Sequence, residues 1–374
     1  MEFLPTAEPW LGPACGEAVK GQIDSGFLGP GDATRRFGQR LAALAGVAHG
    51  VPTTSGTIAL SVAAKALGLE PGDEIVVPAY GVISVINAFA SIGLAPRLAE
   101  IDFTTGCIDP RELKRCVTPR TRAVCFVDFS GHTGRPLIET ADLCREWGLP
   151  LIEDAACALG QHFEGRNAGS FGTISCLSFS VPKVLTTGQG GAVLTSDRAL
   201  ADKAECWIDH GDRDWRATNT HHQIGTNLRF NDVLAALGLA QLDRLEERMA
   251  RKRMAFAALS EDLGECLFTV PGGEAPLHNI VFCDEPAALV AALRARKIGA
   301  VQQYRYLGHQ PVFAHLDGPG FAAARRWERT AVYLPFGLAL TPDQARRIGR
   351  AVRDTKLKLH RLRGTSRRPV AGAA

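Results

Sequence analysis

The stretch ISCLSFSVPKVLTTGQGGAVLTS occupies residues 174–196. Its two ends, ISCLSFS at 174–180 and GAVLTS at 191–196, are short and apolar, which is typical of buried strands. The turn between them is rich in glycine, so its backbone can adopt unusual dihedral angles and approach a ligand closely. Lys183 lies in this turn. A lysine taken alone is usually a solvated surface residue, but its position between two apolar strands favours a functional amine.

Upstream of this stretch, short apolar runs alternate with helix-like segments. The predicted strands are EIVVP (74–78), RLAEID (97–102), RAVCFVDF (122–129) and PLIEDA (150–155), and the predicted helices are 82–93, 110–117 and 137–147. Asp109 followed by Pro110 predicts a helix start, and Gly148 predicts a helix stop. This alternation predicts an α/β fold with a mainly parallel central sheet and helices on both of its faces.

The second half of the chain predicts a different organisation. Apolar residues recur at helical spacing from about 232 to 260, which predicts one helix long enough to connect two domains. We therefore expect a large domain over 1–245 with an N-terminal arm, and a smaller α+β domain over 246–360. The tail 361–374 has little to bury and is predicted to be disordered.

Bulk composition excludes several classes of protein. The 374 residues include 42 basic and 39 acidic ones, and no basic stripe indicates nucleic acid as a partner. The start MEFLPTAEPWLGP lacks the layout of a secretory signal, and no apolar run approaches the roughly 18 residues of a membrane span. We expect a cytoplasmic protein that does not enter a membrane.

The cysteine pattern indicates neither disulfides nor zinc. The ten cysteines include no C-x-x-C pair, and most have apolar neighbours: Cys15, Cys107, Cys116, Cys125, Cys144, Cys157, Cys176, Cys206, Cys266 and Cys283. A cysteine among apolar residues behaves as a small hydrophobe. We expect reduced core thiols and no metal site.

An amine at Lys183 can form an imine with an aldehyde cofactor, which is how proteins hold pyridoxal phosphate. That cofactor also needs a carboxylate for its pyridine nitrogen and a cradle for its phosphate. Asp154 in LIEDAACALG follows a predicted parallel strand, where α/β sheets bind ligands, although a helix cap is an alternative role. In TTSGTIALSVAAKAL (53–67), the amides of Gly56 and Thr57 are predicted to lie at a helix N-terminus, which attracts anions. An ordinary capped helix is the alternative there.

In the combination and order of these features, the chain resembles the sugar-nucleotide aminotransferases of the DegT/DnrJ/StrS type. The matching segments span nearly the whole chain: SGT (55–57), GDEIVVPAY (72–80), TPRTRAV (118–124), EDAA (153–156), GSFG (169–172), SFSVPKVLTTGQGG (178–191), IGTNLRFND (224–232) and AVYLPF (331–336). The resemblance implies the aspartate-aminotransferase-like fold type I of pyridoxal-phosphate enzymes.

Carried over position by position, the resemblance implies a role for each site residue. Lys183 is the imine former and proton shuttle, and Asp154 faces the pyridine nitrogen. The phosphate ligands are Gly56, Thr57 and Ser178. The segment G-x-N-x-R reaches the neighbouring subunit's cofactor in this family, which assigns Asn227 and Arg229 to a shared site and implies a homodimer.

Three positions around the cofactor ring depart from the family pattern. An aromatic residue usually stacks on the ring where this chain has Val82, and many relatives have His where it has Asp128. Cys157 stands where Gln or His is common. A valine packs against a ring without the stacking geometry of an aromatic residue, so these positions are expected to tune substrate choice or, alternatively, to mark altered chemistry.

The implied reaction is transamination from an amino acid, glutamate by resemblance, to a nucleotide-linked keto-sugar. The lysine segment is similar to the branch that aminates 4-keto-6-deoxy sugars. Two alternatives remain: a regulator that binds the cofactor without turnover, and a sugar dehydratase of the same family. The known dehydratases replace the lysine by histidine, whereas this chain keeps Lys183. A nicotinamide dehydrogenase is excluded because no G-x-G-x-x-G turn follows the first strand.

Overall fold

A computed structural model describes residues 2–212, 214–355 and 357–361 of the chain. The predicted disorder of the tail falls on residues 362–374, outside the described residues. The helices are α1 Pro13–Asp24, α2 Asp32–Ala45, α3 Gly56–Ala66, α4 Ile83–Ala90, α5 Pro110–Cys116, α6 Arg135–Glu146, α7 Arg198–Ile208, α8 Trp215–Thr218, α9 Asp232–Leu242, α10 Leu245–Leu263, α11 Pro286–Ala295, α12 Ala322–Thr330 and α13 Pro342–Arg353.

The strands are short, and most belong to one sheet. Their bounds are β1 His49–Thr53, β2 Glu74–Pro78, β3 Tyr80–Gly81, β4 Ala95–Ala99, β5 Thr121–Val127, β6 Leu151–Asp154, β7 His162–Phe163, β8 Arg166–Asn167, β9 Ile174–Ser178, β10 Gly191–Thr195, β11 Asn279–Phe282, β12 Arg305–Tyr306 and β13 Ala331–Leu334. The central sheet has seven strands in the order β1-β10-β9-β6-β5-β2-β4.

The central sheet is mainly parallel, as predicted. Strands β4, β2, β5, β6 and β9 pair in parallel, whereas β10 pairs antiparallel with both β9 and β1. Residues 179–190, which contain Lys183 and are called the lysine turn below, therefore connect two antiparallel neighbours. Because β6 and β9 are parallel neighbours, with Asp154 paired to Cys176, their carboxyl ends meet at the same edge of the sheet.

Helices cover both faces of this sheet. Neighbouring residues of a strand point to opposite faces, and those of β10 join different apolar clusters. Val193 packs in the cluster that includes α3, α4 and α7. Ala192 and Leu194 pack in the cluster that includes α2 and α9. The α/β class and its layered arrangement are thus confirmed.

A separate apolar cluster forms in the C-terminal part. It joins residues of α10, α11 and α13 to the antiparallel pair β11–β13 and also includes Leu4 of the N-terminal arm. Other C-terminal residues join the large-sheet side instead: Trp327 packs in the first cluster, and β12 pairs with β3. The predicted boundary at 245 and 246 falls at the start of α10, and the division into domains stays a prediction.

The single helix predicted from 232 to 260 is wrong. Asn231 caps α9 by accepting from the amide of Leu234, and the helix ends at Leu242. Arg244 then leaves helical dihedral angles, with φ −117° and ψ 24°, before α10 begins. The two helices pack against different partners, α9 against α1 and α2 and α10 against α13. A straight continuous helix would not serve both surfaces.

Glu153, at the end of β6, holds the loop that precedes β9. Its buried carboxylate accepts from the amides of Gly169 at 2.6 Å, Phe171 at 2.7 Å and Gly172 at 2.9 Å, and from the Ser175 hydroxyl at 2.9 Å.

Among the described residues, no helix is long and apolar enough to cross a membrane.

We predict that Glu153→Gln destabilises the fold. Glutamine keeps the size but loses the charge, and its NH2 group cannot accept from the donors that one of the two carboxylate oxygens now serves. A hydrogen bond to a charged group contributes about 1.5–3 kcal/mol, so we expect a loss of about 2–5 kcal/mol in the free energy of unfolding by urea. The exposed pair of Glu112 with Arg115 supplies the control: Glu112→Gln should cost less than about 1 kcal/mol. Equal effects of the two substitutions would contradict the role of Glu153.

Candidate functional site

The lysine turn is held in place from two helices. Gln241 of α9 accepts from the amide of Thr186 at 3.0 Å and donates to its carbonyl at 2.6 Å. Arg248 of α10, almost fully buried, donates from Nε to the carbonyl of Val184 at 2.8 Å. Gly190, with φ +157°, closes the turn where a Cβ atom would lie 2.6 Å from the hydroxyl oxygen of Thr187. Two helices thus fix the backbone that directly follows Lys183.

Lys183 lies beside two of the predicted site residues. Its Nζ donates to the Sγ atom of Cys157 at 3.1 Å. Burial raises the pKa of Asp154, while the amide of Ala156 and the charge of Lys183 lower it. Asp154 is buried, and its Oδ1 accepts from Ala156 at 3.0 Å. Both Lys183 and Cys157 are half-buried, so the amine and the thiol face an accessible space.

The helix-cap alternative for Asp154 is wrong. Residues 155–161 form turns, and the two short strands β7 and β8 follow. Within the described part of the chain, the hydrogen bond seen for this carboxylate is the one from a turn amide to Oδ1. A buried carboxylate close to a lysine fits a site that holds a cationic ligand.

The predicted phosphate cradle is assembled by close contact. A Cβ atom at Gly56 would lie 2.7 Å from the Cβ of Ser178, and one at Gly191 would lie 2.7 Å from the amide nitrogen of Gly56. Ser55 caps α3 by accepting from the amide of Ile58. The amides of Gly56 and Thr57 lie in the same first turn, where a helix offers no internal acceptor. These amides and the Ser178 hydroxyl converge at a positive helix end.

The three departures take different positions. Val82 is exposed and precedes α4. Cys157 contacts Lys183, as described above. Asp128 is fully buried; its Oδ2 accepts from Thr133 at 3.1 Å, and its Oδ1 has no partner among the described residues. Burial, followed by the charge of Glu153, raises the pKa of Asp128 well above its usual range. Burial raises the pKa of Glu153 as well, but the four donors to its carboxylate oppose that shift, so Asp128 holds a proton more readily than Glu153.

The structure does not bring Asn227 and Arg229 to the lysine in the same chain. Asn227 is exposed, and its backbone bridges that of Asp209. The guanidinium of Arg229 is bound by the carboxylate of Asp209, while its backbone bridges Thr53 near the cradle. No contact between either side chain and Lys183 is seen among the described residues.

Two residues near the lysine were missed by sequence reasoning. His278 is buried; its Nδ1 lies 3.1 Å from the hydroxyl of Ser130, and its Nε2 lies 3.3 Å from that of Tyr304. Burial, then the charges of Lys183 and Lys252, lowers the pKa of His278 well below its usual value. His278 stands in an apolar run without a motif. Lys252 had a signal, since it lies three residues from both Met249 and Ala255 on a buried helix face.

Within the described ranges no cluster of His, Cys, Asp and Glu is placed to hold a metal ion. None of the ten cysteines forms a disulfide in the part of the chain that the structure describes, and six of them are buried.

Comparison with known proteins gives a consistent result. Residues 12–353 match the sequence profile of the DegT/DnrJ/EryC1/StrS aminotransferase family. The chain is 32% identical over 340 residues to a UDP-N-acetyl-3-dehydro-alpha-D-glucosamine 3-aminotransferase of Acidithiobacillus ferrooxidans, covering 89% of this chain and 90% of the relative. It is 32% identical over 254 residues to the GDP-perosamine synthase of Escherichia coli O157:H7, covering 68% and 69%. The crystal structure of the aminotransferase TlmJ from Streptoalloteichus hindustanus superposes with a TM-score of 0.88 at 28% identity, covering 94% and 98%.

We predict that Gly56→Ala weakens binding of pyridoxal phosphate. The added methyl group would overlap the side chain of Ser178 and push the α3 terminus away from β9. Overpacking of this kind costs about 1–3 kcal/mol, so we expect roughly 10-fold weaker affinity in a fluorescence titration. The matched control is Gly21→Ala in α1, where a Cβ atom meets nothing within 4 Å. Unchanged affinity in Gly56→Ala would remove the cradle from this position.

Proposed function

The chain belongs to the DegT/DnrJ/EryC1/StrS aminotransferase family, and from this premise we propose that it transfers an amino group from an amino acid to a nucleotide-linked keto-sugar with pyridoxal phosphate as cofactor. The observation that carries the proposal is the placement of Lys183. Its amine lies at the carboxyl edge of the sheet, in contact with Cys157 and close to the buried Asp154. Ligands of open α/β sheets bind at this edge.

The residues present fit the cofactor. The lack of a side chain at Gly56 lets the first turn of α3 touch Ser178, which leaves N–H donors and a hydroxyl for a phosphate. The Oδ1 atom of Asp154 accepts from Ala156, and its Oδ2 atom is proposed to face the ring nitrogen. Val82 and Cys157 are the side chains proposed to contact the ring. When bound, pyridoxal phosphate supplies an aldehyde that holds amines and a ring that accepts electrons.

The protein's own groups have separate tasks. With the cofactor bound, the Nζ atom of Lys183 would take the proton from the amine-bearing carbon of the donor. It would deliver a proton to the carbon that carried the aldehyde, on the other side of the transferred nitrogen. Asp154 stays ionised beside a cationic ring nitrogen, because such a charge lowers its pKa as Lys183 already does. The Sγ atom of Cys157 holds the amine of Lys183 whenever the lysine is free.

The substrate class is proposed from the relatives. The two curated relatives named above are, by name, a GDP-perosamine synthase and a UDP-sugar 3-aminotransferase. Both names describe sugars linked to a nucleotide. We propose a nucleotide-linked keto-sugar as acceptor, with a 4-keto-6-deoxy sugar as the first to test, and glutamate as donor.

We also propose a homodimer in which Asn227 and Arg229 serve the partner's site. Asn227 is exposed, and no contact with Lys183 of its own chain is seen among the described residues. Large apolar side chains are exposed on the N-terminal segment and on the site loops: Ile23, Phe27, Leu28, Val82, Val181 and Ile224. Such side chains favour a protein interface where they form one contiguous patch, which we propose for this surface. A symmetric pair would use one such surface twice.

The transfer is tested directly with isotope-labelled glutamate. We predict that the protein moves the labelled nitrogen to a nucleotide-linked keto-sugar, detected by mass spectrometry. Lys183→Ala should lower the rate by more than about 1,000-fold, because it removes both the amine that holds the cofactor and the base that moves the proton. Lys203→Ala, on the exposed face of α7, is the control and should transfer normally. Transfer by Lys183→Ala at a rate near that of the wild type would contradict the assignment.

The shared site is tested by mixing two inactive variants. We predict that Lys183→Ala and Asn227→Ala chains, each inactive alone, recover activity when their subunits exchange. One site of each mixed dimer then carries both defects and the other carries neither. Recovery should approach the fraction of mixed dimers. Verified exchange without recovery would show that Asn227 serves its own chain, and a monomer at working concentration would exclude the shared site.

A further inference from the structure

Lys252 is a buried amine that lacks a partner. The residue lies in α10 and is 8% exposed, and its Nζ atom is inaccessible and makes no hydrogen bond among the described residues. Lysine is almost never buried without a pair, because removing a charge from water costs free energy unless another charge compensates. The side chain therefore indicates either a neutral amine or a place for an anion.

The helix directs Lys252 towards the lysine site. Residues three apart share one face of a helix, so Lys252 lies on the face of Met249. Met249 forms an apolar cluster with Val184, Leu277 and Phe336, against which Cys157 packs. Its sulfur also lies 3.1 Å from the position of a Cβ atom at Gly160, in the turn after Cys157. Val184 follows Lys183 and Leu277 precedes His278, so this face borders the site beside Cys157.

The nearby negative charge is already used. Glu274 pairs with Arg253 at 3.3 Å. Burial lowers the pKa of Lys252 to about 8, against the opposing effects of Glu274 and then Cys157. Lys183 and Lys252 both act on His278, which burial keeps neutral. The amines of Lys183 and Lys252 and the neutral imidazole of His278 thus adjoin this end of the site. It is distinct from the phosphate cradle at Gly56 and Ser178.

We infer that Lys252 binds the carboxylate of the amino-acid donor, a subsite that rests on the proposed transamination. Every amino-acid donor carries a carboxylate next to the reacting carbon, and the keto acid that leaves retains it. One buried amine suits a small, single anion. The diphosphate of a nucleotide is bulkier and needs several donors, which a single amine does not supply. Charge-assisted hydrogen bonds to a carboxylate would satisfy the amine.

The role of Lys252 is tested in the first half of the reaction, between the amino-acid donor and the cofactor. Lys252→Met keeps the length of the side chain and removes the charge, whereas Lys252→Arg keeps a charge. With glutamate alone, monitored by the change in cofactor absorbance, we expect the half-saturating glutamate concentration to rise about 10-fold to 100-fold in Lys252→Met. It should rise less in Lys252→Arg, and the KM for the sugar acceptor should not change. Lys65→Met, at a half-buried lysine of α3 bonded to the Leu69 carbonyl, is the control.

Binding without turnover gives an independent readout. Calorimetric titration with 2-oxoglutarate should show the same loss of affinity in Lys252→Met, and thermal unfolding should show no loss of stability, because an unpaired buried charge is removed. Lower stability with donor and acceptor KM raised equally would indicate a structural lysine and overturn the inference.

The inference and the proposed function fail in different ways. If the wild type transfers nitrogen and Lys252→Met handles glutamate and 2-oxoglutarate normally, only the carboxylate subsite is wrong. If the wild type transfers no nitrogen yet binds 2-oxoglutarate through Lys252, the subsite stands and the proposed function fails. If the wild type neither transfers nitrogen nor binds 2-oxoglutarate, both are wrong.

Discussion

The site depends on the close approach of the α3 N-terminus to the ends of β9 and β10. Glycine at 56 and 191 allows backbone and side chain to come within distances that any Cβ atom would prevent. This contact brings helix amides to Ser178, five residues before Lys183. A helix end offers partial positive charge and unpaired N–H donors together. An anion bound there would lie at a fixed distance from the lysine turn.

Buried polar groups set the remaining geometry. Gln241 and Arg248 hold the backbone around Lys183 from two helices, and Glu153 holds the loop before β9 with four accepted hydrogen bonds. Such groups are costly to bury unless satisfied, and satisfied they define one arrangement. Asp154 and Lys252 differ from them: among the described residues, the carboxylate of Asp154 accepts one hydrogen bond, from Ala156, and the Nζ atom of Lys252 makes none. We interpret these two residues as ligand-binding groups, Asp154 for a cation and Lys252 for an anion.

Much of the fold was predictable because the apolar runs are short and strongly periodic. The runs ending at Asp154 and Ser178 became parallel neighbours, and the helix starts at Gly56 and Pro110 have the expected caps. The helix cap at Asp154 was wrong because apolar residues after it form turns. No glycine or proline in the sequence marks the helix break at Arg244, because the break goes with the packing of α9 and α10 against different helices. His278 was invisible for a similar reason: tertiary contacts alone, with Ser130 and Tyr304, bring it to the site.

Reduction with borohydride tests directly whether Lys183 carries the cofactor. The protein saturated with pyridoxal phosphate is reduced with borohydride, which fixes the cofactor to the lysine that holds it, and then digested and mapped by mass spectrometry. The account predicts a single pyridoxyl group on the peptide that contains Lys183, and none after prior treatment with glutamate. A pyridoxyl group on another lysine, or none on a protein that retains the cofactor, would contradict it.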